Sequence, residues 1–393
     1  DRLCVIGAAG INDNDFVGPG HGFETAADRR PGVLGDDDGL LPNCLDLASQ
    51  LIKKFDAKVL TWRKGEYAWP EIIVDRYKNY FSISTDVSIE FHSSSDYLEK
   101  SHNFSIGYDE GPGLYSSFVH VDILKGLSGP ESQWFAAASP DVYSCYAIAS
   151  SVPEYFRCNF GLSLNGASKH SNGISSLHSP DSDTLKLFKE VSNLHPSLIY
   201  APSVAIAAAD GLLVARERFP KNFVGYDFSW KGLIERMLSD IENAPTIIHY
   251  DLLVSGLQKI INYSNEIMPE LPDFGGKVEL EKLKDLRTID LNSNRITCIL
   301  DPDLVSNVYD AGLFANSLFP LSGVNVEKIG FTQIIKDNYK FTDSESQNKN
   351  EILPPIHGPN VLKKIYLGPL KMTVTKARSE EHTSELQSPM FIS

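Results

Sequence analysis

The chain has 393 residues and a formal net charge of −15, with 42% hydrophobic and 22% charged residues. This composition suits a globular protein with a large core in two or three domains. The acidic balance argues against an extended nucleic-acid-binding face, which needs a basic patch, while leaving room for a locally basic pocket. Cys4, Cys44, Cys145, Cys158 and Cys298 are odd in number and scattered, with no CxxC pair. That speaks against a disulfide framework or a zinc site and for free thiols in a reducing compartment.

In chain order, Leu3 to Ile6 reads as a short strand. Gly7-Ala8-Ala9-Gly10 follows, but the GxGxxG spacing is absent and no helical pattern succeeds it, so no dinucleotide site is read here. Asp13, Asp15, Gly18 and Glu24 fall at positions 1, 3, 6 and 12 of an EF-hand loop. Val17 occupies a ligand position, however, and no amphipathic helix flanks the stretch, so the match is read as chance.

Next comes Gly35-Asp36-Asp37-Asp38-Gly39-Leu40-Leu41-Pro42, preceded by Val33 and Leu34. Three adjacent carboxylates repel one another and are costly unless a cation neutralises them. Their hard oxygens suit Mg²⁺ or Mn²⁺, ions that also hold substrate phosphates. The alternative is a solvated turn, where Asp and Gly are common. Cys44, Ala48, Leu51, Ile52 and Phe55 recur at helical spacing behind Pro42, and Lys58 to Trp62 reads as a strand. Together these predict a β-loop-α-β unit with the acids at the carboxyl end of its first strand, where open α/β sheets bind ligands.

Residues 63 to 70 mix cations with aromatics and read as a pocket lining or a structured loop. Residues 80 to 115 read as strand pieces and loops. Val119, Val121 and Ile123 alternate, which predicts a half-buried strand over 117–124. Val142, Cys145, Tyr146 and Ala149 share a helical face that ends before Pro153, with Asp141 at the expected N-cap. Phe160, Leu162 and Leu164 alternate as a strand ahead of a polar loop, Gly166 to Gly173. Beyond about 180 the pattern becomes mainly helical. Ser229 caps a stripe of Leu233, Ile234, Met237 and Ile241, and Thr246 to Tyr263 forms another helix. Residues 286–296 match one leucine-rich repeat, but a solenoid needs at least about three; a strand leading to a helix over 305–318 is the better reading. Residues 336–351 read as a polar loop.

Gly35 to Pro42, Thr61-Trp62, Trp69-Pro70, Ser139-Pro140-Asp141-Val142-Tyr143-Ser144, and Gly166-Ala167-Ser168 with Ser171-Asn172-Gly173 occur in that order. As an ordered set they resemble family 2 glycosyltransferases of the GT-A fold, over about residues 20 to 178. The resemblance implies an α/β domain over 1–180, with a mixed, mostly parallel sheet flanked by helices and its first strand missing. A mainly helical region over 181–377 would follow.

By the same resemblance Asp36 and Asp38 are the two ends of a DXD motif holding Mg²⁺ or Mn²⁺. Asp36, Asp37, Trp62 and His170 lie on the nucleotide-sugar side, and Asp141 is the catalytic base of an inverting transfer to a glycan or lipid-linked acceptor. It also implies polysaccharide biosynthesis in the cytoplasm, at or near the inner face of the membrane, with no nucleic-acid partner. A nucleotidyltransferase-like phosphate-handling enzyme and a non-catalytic glycan- or protein-binding scaffold stay open as alternatives. Arg378 to Ser388 resemble a translated sequencing-adapter oligonucleotide, so 378–393 are expected to be a non-native tail.

Overall fold

The computed structural model describes residues 4–7, 31–34, 37–74, 77–128, 136–169, 171, 194–244, 246–272, 294–329 and 331–333. The described residues belong to one compact unit, Leu3–Tyr339. Strands β1 (Cys4–Gly7) and β2 (Pro31–Leu34) form an antiparallel pair. The short strand β3 (Gly39–Leu40) leads into helix α1 (Cys44–Phe55), then β4 (Val59–Trp62) and β5 (Gly65–Ala68). After these come β6 (Tyr80–Ser84), β7 (Ile89–Ser93), α2 (Ser94–His102), β8 (Ser117–Val119) and α3 (Val121–Leu127). Helix α4 (Pro140–Ser151) precedes β9 (Glu154–Cys158) and β10 (Ser163–Ala167).

Three helices follow: α5 (Val204–Arg218), α6 (Trp230–Glu242) and α7 (Ile247–Ser264). The last described elements are β11 (Arg295–Ile299), α8 (Val308–Leu318) and β12 (Phe331–Gln333). None of the described helices is long and apolar enough to cross a membrane.

Two five-stranded sheets carry the fold, in the orders β11-β6-β5-β10-β3 and β12-β7-β9-β4-β8. Both are mixed, and the expectation of mostly parallel pairing is corrected. Only β10–β5, β12–β7 and β4–β9 are parallel; the remaining pairings among the described residues are antiparallel. Helices α5 to α7 lie in the later chain. Beyond them, β11 adds to β6 and β12 adds to β7, so the late chain completes both sheets. An open sheet edge exposes unpaired N–H and C=O groups, and these late strands cover two such edges.

The elements follow local chemistry where it is strong. α1 buries Cys44, Ala48, Leu51 and Ile52 of the expected stripe together with Leu47, leaves Phe55 half-buried, and stops where Asp56 turns left-handed at φ 46°. Lys54 on its last turn donates to the carbonyls of Val326 (2.6 Å) and Ile329 (2.9 Å), tying the late chain to this helix. Ser229 caps α6 as expected, accepting the Gly232 N–H, and Thr246 caps α7, accepting the His249 N–H.

Elsewhere the local signal is overridden. Val121 and Ile123 lie in helix α3, capped by His120, and the strand ends at Val119. Residues 65–68 form a strand because β10 and β6 pair on both sides of them. The apolar run over 201–215 has no polar face because α5 is packed between two cores. Leu212 and Ala215 meet the one around α4; Ala205, Ile206 and Ala209 meet the one around α6 and α7.

Candidate functional site

Asp37 and Asp38 immediately precede β3, which pairs antiparallel with β10 through Leu40 to Ser163 and Gly39 to Leu164. Continuing that register brings the acids alongside Asn165 and Gly166. The Asp38 carboxylate accepts the Gly166 N–H at 2.8 Å. The Asp37 carboxylate accepts the Ser171 hydroxyl, and Ser171 Oγ in turn accepts the Ser168 N–H at 2.8 Å. Trp69 Nε1 donates to the Asp37 carbonyl at 3.4 Å. A Cβ at Gly166 would collide with that same carbonyl, so this approach of two backbones requires glycine.

The acids follow β2, as expected, but the unit is not one β-loop-α-β sheet. β2 pairs with β1, β3 joins one large sheet, and β4 lies in the other.

Between β4 and β5 the chain presents Lys64, half-buried, whose ammonium donates to Asn165 Oδ1 at 2.6 Å. It also lies 6.0 Å from the centre of the Tyr115 ring. Lys64 therefore reaches the residue next to Gly166, which holds Asp38. Sequence reading flagged the cation-aromatic stretch 63–70 without singling out this lysine; only the β5–β10 pairing places it.

Asp141 reaches the same region from α4. It lies in the helix's first turn, after Pro140, and Ser139 is the N-cap, which corrects the capping assignment. The Ser139 side chain makes no capping hydrogen bond. The Asp141 carbonyl accepts from Ser144 Oγ at 2.7 Å and Cys145 Sγ at 3.3 Å, and Ser144 Oγ accepts the Leu114 N–H at 3.0 Å. The loop Gly111 to Gly113 passes so near that a Cβ at Gly113 would stand 2.6 Å from Cys145 Sγ.

The Asp141 side chain keeps some solvent exposure but is closely enclosed. Burial pushes its pKa up. The Lys64 cation and the N–H groups of the helix start pull it back, and the Asp38 charge pushes it up again. Asp38 and Asp141 are therefore near enough for their charges to act on one another, although nothing local in sequence joins them. The neighbouring Tyr108 and Cys145 are held protonated, first by burial and next by the Asp141 charge.

The Asp38 and Lys64 charges thus both act on Asp141, and Lys64 bonds to Asn165 beside the Gly166 N–H that holds Asp38. Trp62 is placed differently. It is 3% exposed, tilted against Phe118 at 5.1 Å, with its Nε1 donating to Ser163 Oγ at 2.8 Å. Its ring is part of the core. Asp36 and His170 lie outside the described residues.

Cys44, Cys145, Cys158 and Cys298 are free thiols. Among the described residues no group of three or more His, Cys, Asp or Glu side chains is arranged to hold a metal. Hard cations of the Mg²⁺ kind typically bind through one or two carboxylates together with substrate phosphates. Compared with known proteins, the chain matches no protein-family model and no curated protein sequence.

Proposed function

We propose that this protein is a metal-dependent inverting glycosyltransferase, moving a sugar from a nucleotide-sugar donor to a glycan or lipid-linked acceptor. The observation that carries the reading is the convergence of Asp38 and Asp141 from separate elements, with the Lys64 cation acting on Asp141 and bonded beside the Asp38 anchor. Two carboxylates in different surroundings suit two different jobs.

Asp37 and Asp38, with Asp36 of the same triplet, would hold Mg²⁺ or Mn²⁺ against the donor diphosphate. The cation would neutralise charge developing on the leaving group. Asp141 removes the proton from the acceptor hydroxyl. The acceptor oxygen then bonds to the anomeric carbon from the face opposite the departing phosphate oxygen, and the sugar inverts. Lys64 favours the ionised, proton-accepting form of Asp141. Holding donor and acceptor together supplies much of the rate. The GT-A family resemblance, a cytoplasmic setting and action near a membrane face belong to the same proposal.

The test is donor hydrolysis and sugar transfer with Mn²⁺ present. Loss of rate in both Asp38→Ala and Asp141→Asn is expected; unchanged rates overturn the site. Release of pyrophosphate from a nucleoside triphosphate and a sugar phosphate would point instead to a nucleotidyltransferase. Absence of any sugar-nucleotide binding by calorimetry would favour a scaffold.

A further inference from the structure

Asp210 is a buried carboxylate that the proposed chemistry does not use. It sits in the middle of α5 and is 0% exposed. One oxygen accepts the His195 N–H at 2.7 Å and the other accepts the Ala138 N–H at 3.1 Å. Burial raises its pKa, and those two N–H groups with His195 pull it back. A charge in such a position is expensive unless its hydrogen bonds are satisfied, and an apolar residue would fill the space at less cost.

Ala138 lies three residues before Asp141, in a stretch with no regular secondary structure. The N-cap residue of α4, Ser139, makes no side-chain capping hydrogen bond. Directly beside the carboxylate, Gly211 lets α5 close on α4: a Cβ there would stand 3.0 Å from the Tyr143 backbone nitrogen.

We infer that Asp210 is a positioning residue that sets where Asp141 stands, by pinning the chain entering α4 through the Ala138 N–H. This rests on the reading of Asp141 as the base. A helix start capped by its own side chain can pivot with its loop. One tied across to a neighbouring helix by a charge-assisted bond is held in register with that helix.

Three variants of the full chain test this. Asp210→Asn keeps the shape and one acceptor oxygen, Asp210→Leu keeps the bulk alone, and Leu212→Ala removes core packing from the same helix. Expected for Asp210→Asn is a fall in kcat of about tenfold or more, with donor KM within about twofold, because a base about 1 Å out of place costs rate at unchanged binding. Asp210→Leu should fall further. Leu212→Ala, assayed well below its Tm, should keep kcat.

Hydrogen exchange gives a readout free of activity. Amides over 136–144 should exchange at least about tenfold faster in both Asp210 variants, with β4 and β9 still protected. Unchanged exchange over 136–144 overturns the inference, and so does an Asp210 effect no larger than that of Leu212→Ala at matched Tm. If the unaltered protein transfers no sugar, the functional reading fails by itself and the exchange result still decides the tie.

Discussion

The backbone carbonyl of Asp37 fills the space that a side chain at Gly166 would occupy. The acid turn and strand β10 are thereby locked at backbone contact, with the Gly166 N–H on the Asp38 carboxylate at 2.8 Å.

Gly166→Ala should therefore move the acid turn. Forcing a methyl into a filled site typically costs about 1–3 kcal/mol. The expected outcome is a lower Tm together with weaker Mn²⁺ and donor binding in calorimetry. A variant with unaltered Mn²⁺ binding would show that the acids do not depend on this contact.

Asp141→Asn should lower transfer by roughly 10²–10⁴-fold, the usual worth of a general base. Its effect on stability runs the other way. Burial raises the Asp141 pKa in the folded state, so between the ordinary aspartate range and the raised value the folded chain binds more protons than the unfolded one. Stability then falls as pH rises through that window. At neutral pH Asp141→Asn should melt at a higher temperature than the parent, and the gap should close as pH falls below the ordinary aspartate range. Thermal melts across pH measure this directly.

Lys64→Met removes the cation that opposes the burial of Asp141. The acid limb of the kcat profile should move to higher pH. A profile that stays in place would separate Lys64 from the base.

Glu90 makes the fold's stability acid-sensitive. Its pKa is lowered to about 2, first by the His92 hydrogen bond at 2.9 Å, against burial, with Asn159 and Arg157 adding to it. A depressed carboxylate stabilises the fold above its unfolded pKa, and that contribution is lost as pH falls from about 4.5 towards 2. Glu90→Gln should remove on the order of 1 kcal/mol at neutral pH, discounted for its partial exposure. It should also flatten the urea midpoint across the acid window.

His102 works in a different window. It is 1% exposed and stacks on Tyr226 at 5.3 Å, and burial lowers its pKa. The unfolded chain then binds the extra proton, so stability is complete above the ordinary histidine range and falls as pH drops through it. His102→Gln should reduce the slope of unfolding free energy between about pH 5 and 7, read from urea titrations at several pH values.

Elements whose signal lies within one turn or one strand were legible in the chain. The α1 stripe, the Ser229 cap, and the strand over Val59–Trp62 fall where spacing placed them. Asp141 was legible as a helix-start acid, though it lies two positions past the N-cap expected for it. What could not be read depends on partners distant in sequence. Val121 and Ile123 alternate like a strand yet turn into helix after His120 caps them. Gly65–Ala68 is a strand only because β6 and β10 flank it, and Trp62 looks like a ligand platform until Ser163 and Phe118 enclose it.

By itself the sequence determined the chemistry on offer: a run of carboxylates before a short strand, an acid at a helix start, cations among aromatics, and thiols without a pairing pattern. Periodicity and capping are local, so they survive in the linear chain. The tertiary structure alone decided which of these groups meet. The register of β3 on β10 set Asp38 on the Gly166 N–H, the pairing of β5 with β10 brought Lys64 to Asn165, and the packing of α5 on α4 gave Asp141 its anchor through Asp210. Each is a contact between residues far apart in sequence. Such contacts arise only when buried faces and backbone hydrogen bonds are satisfied together.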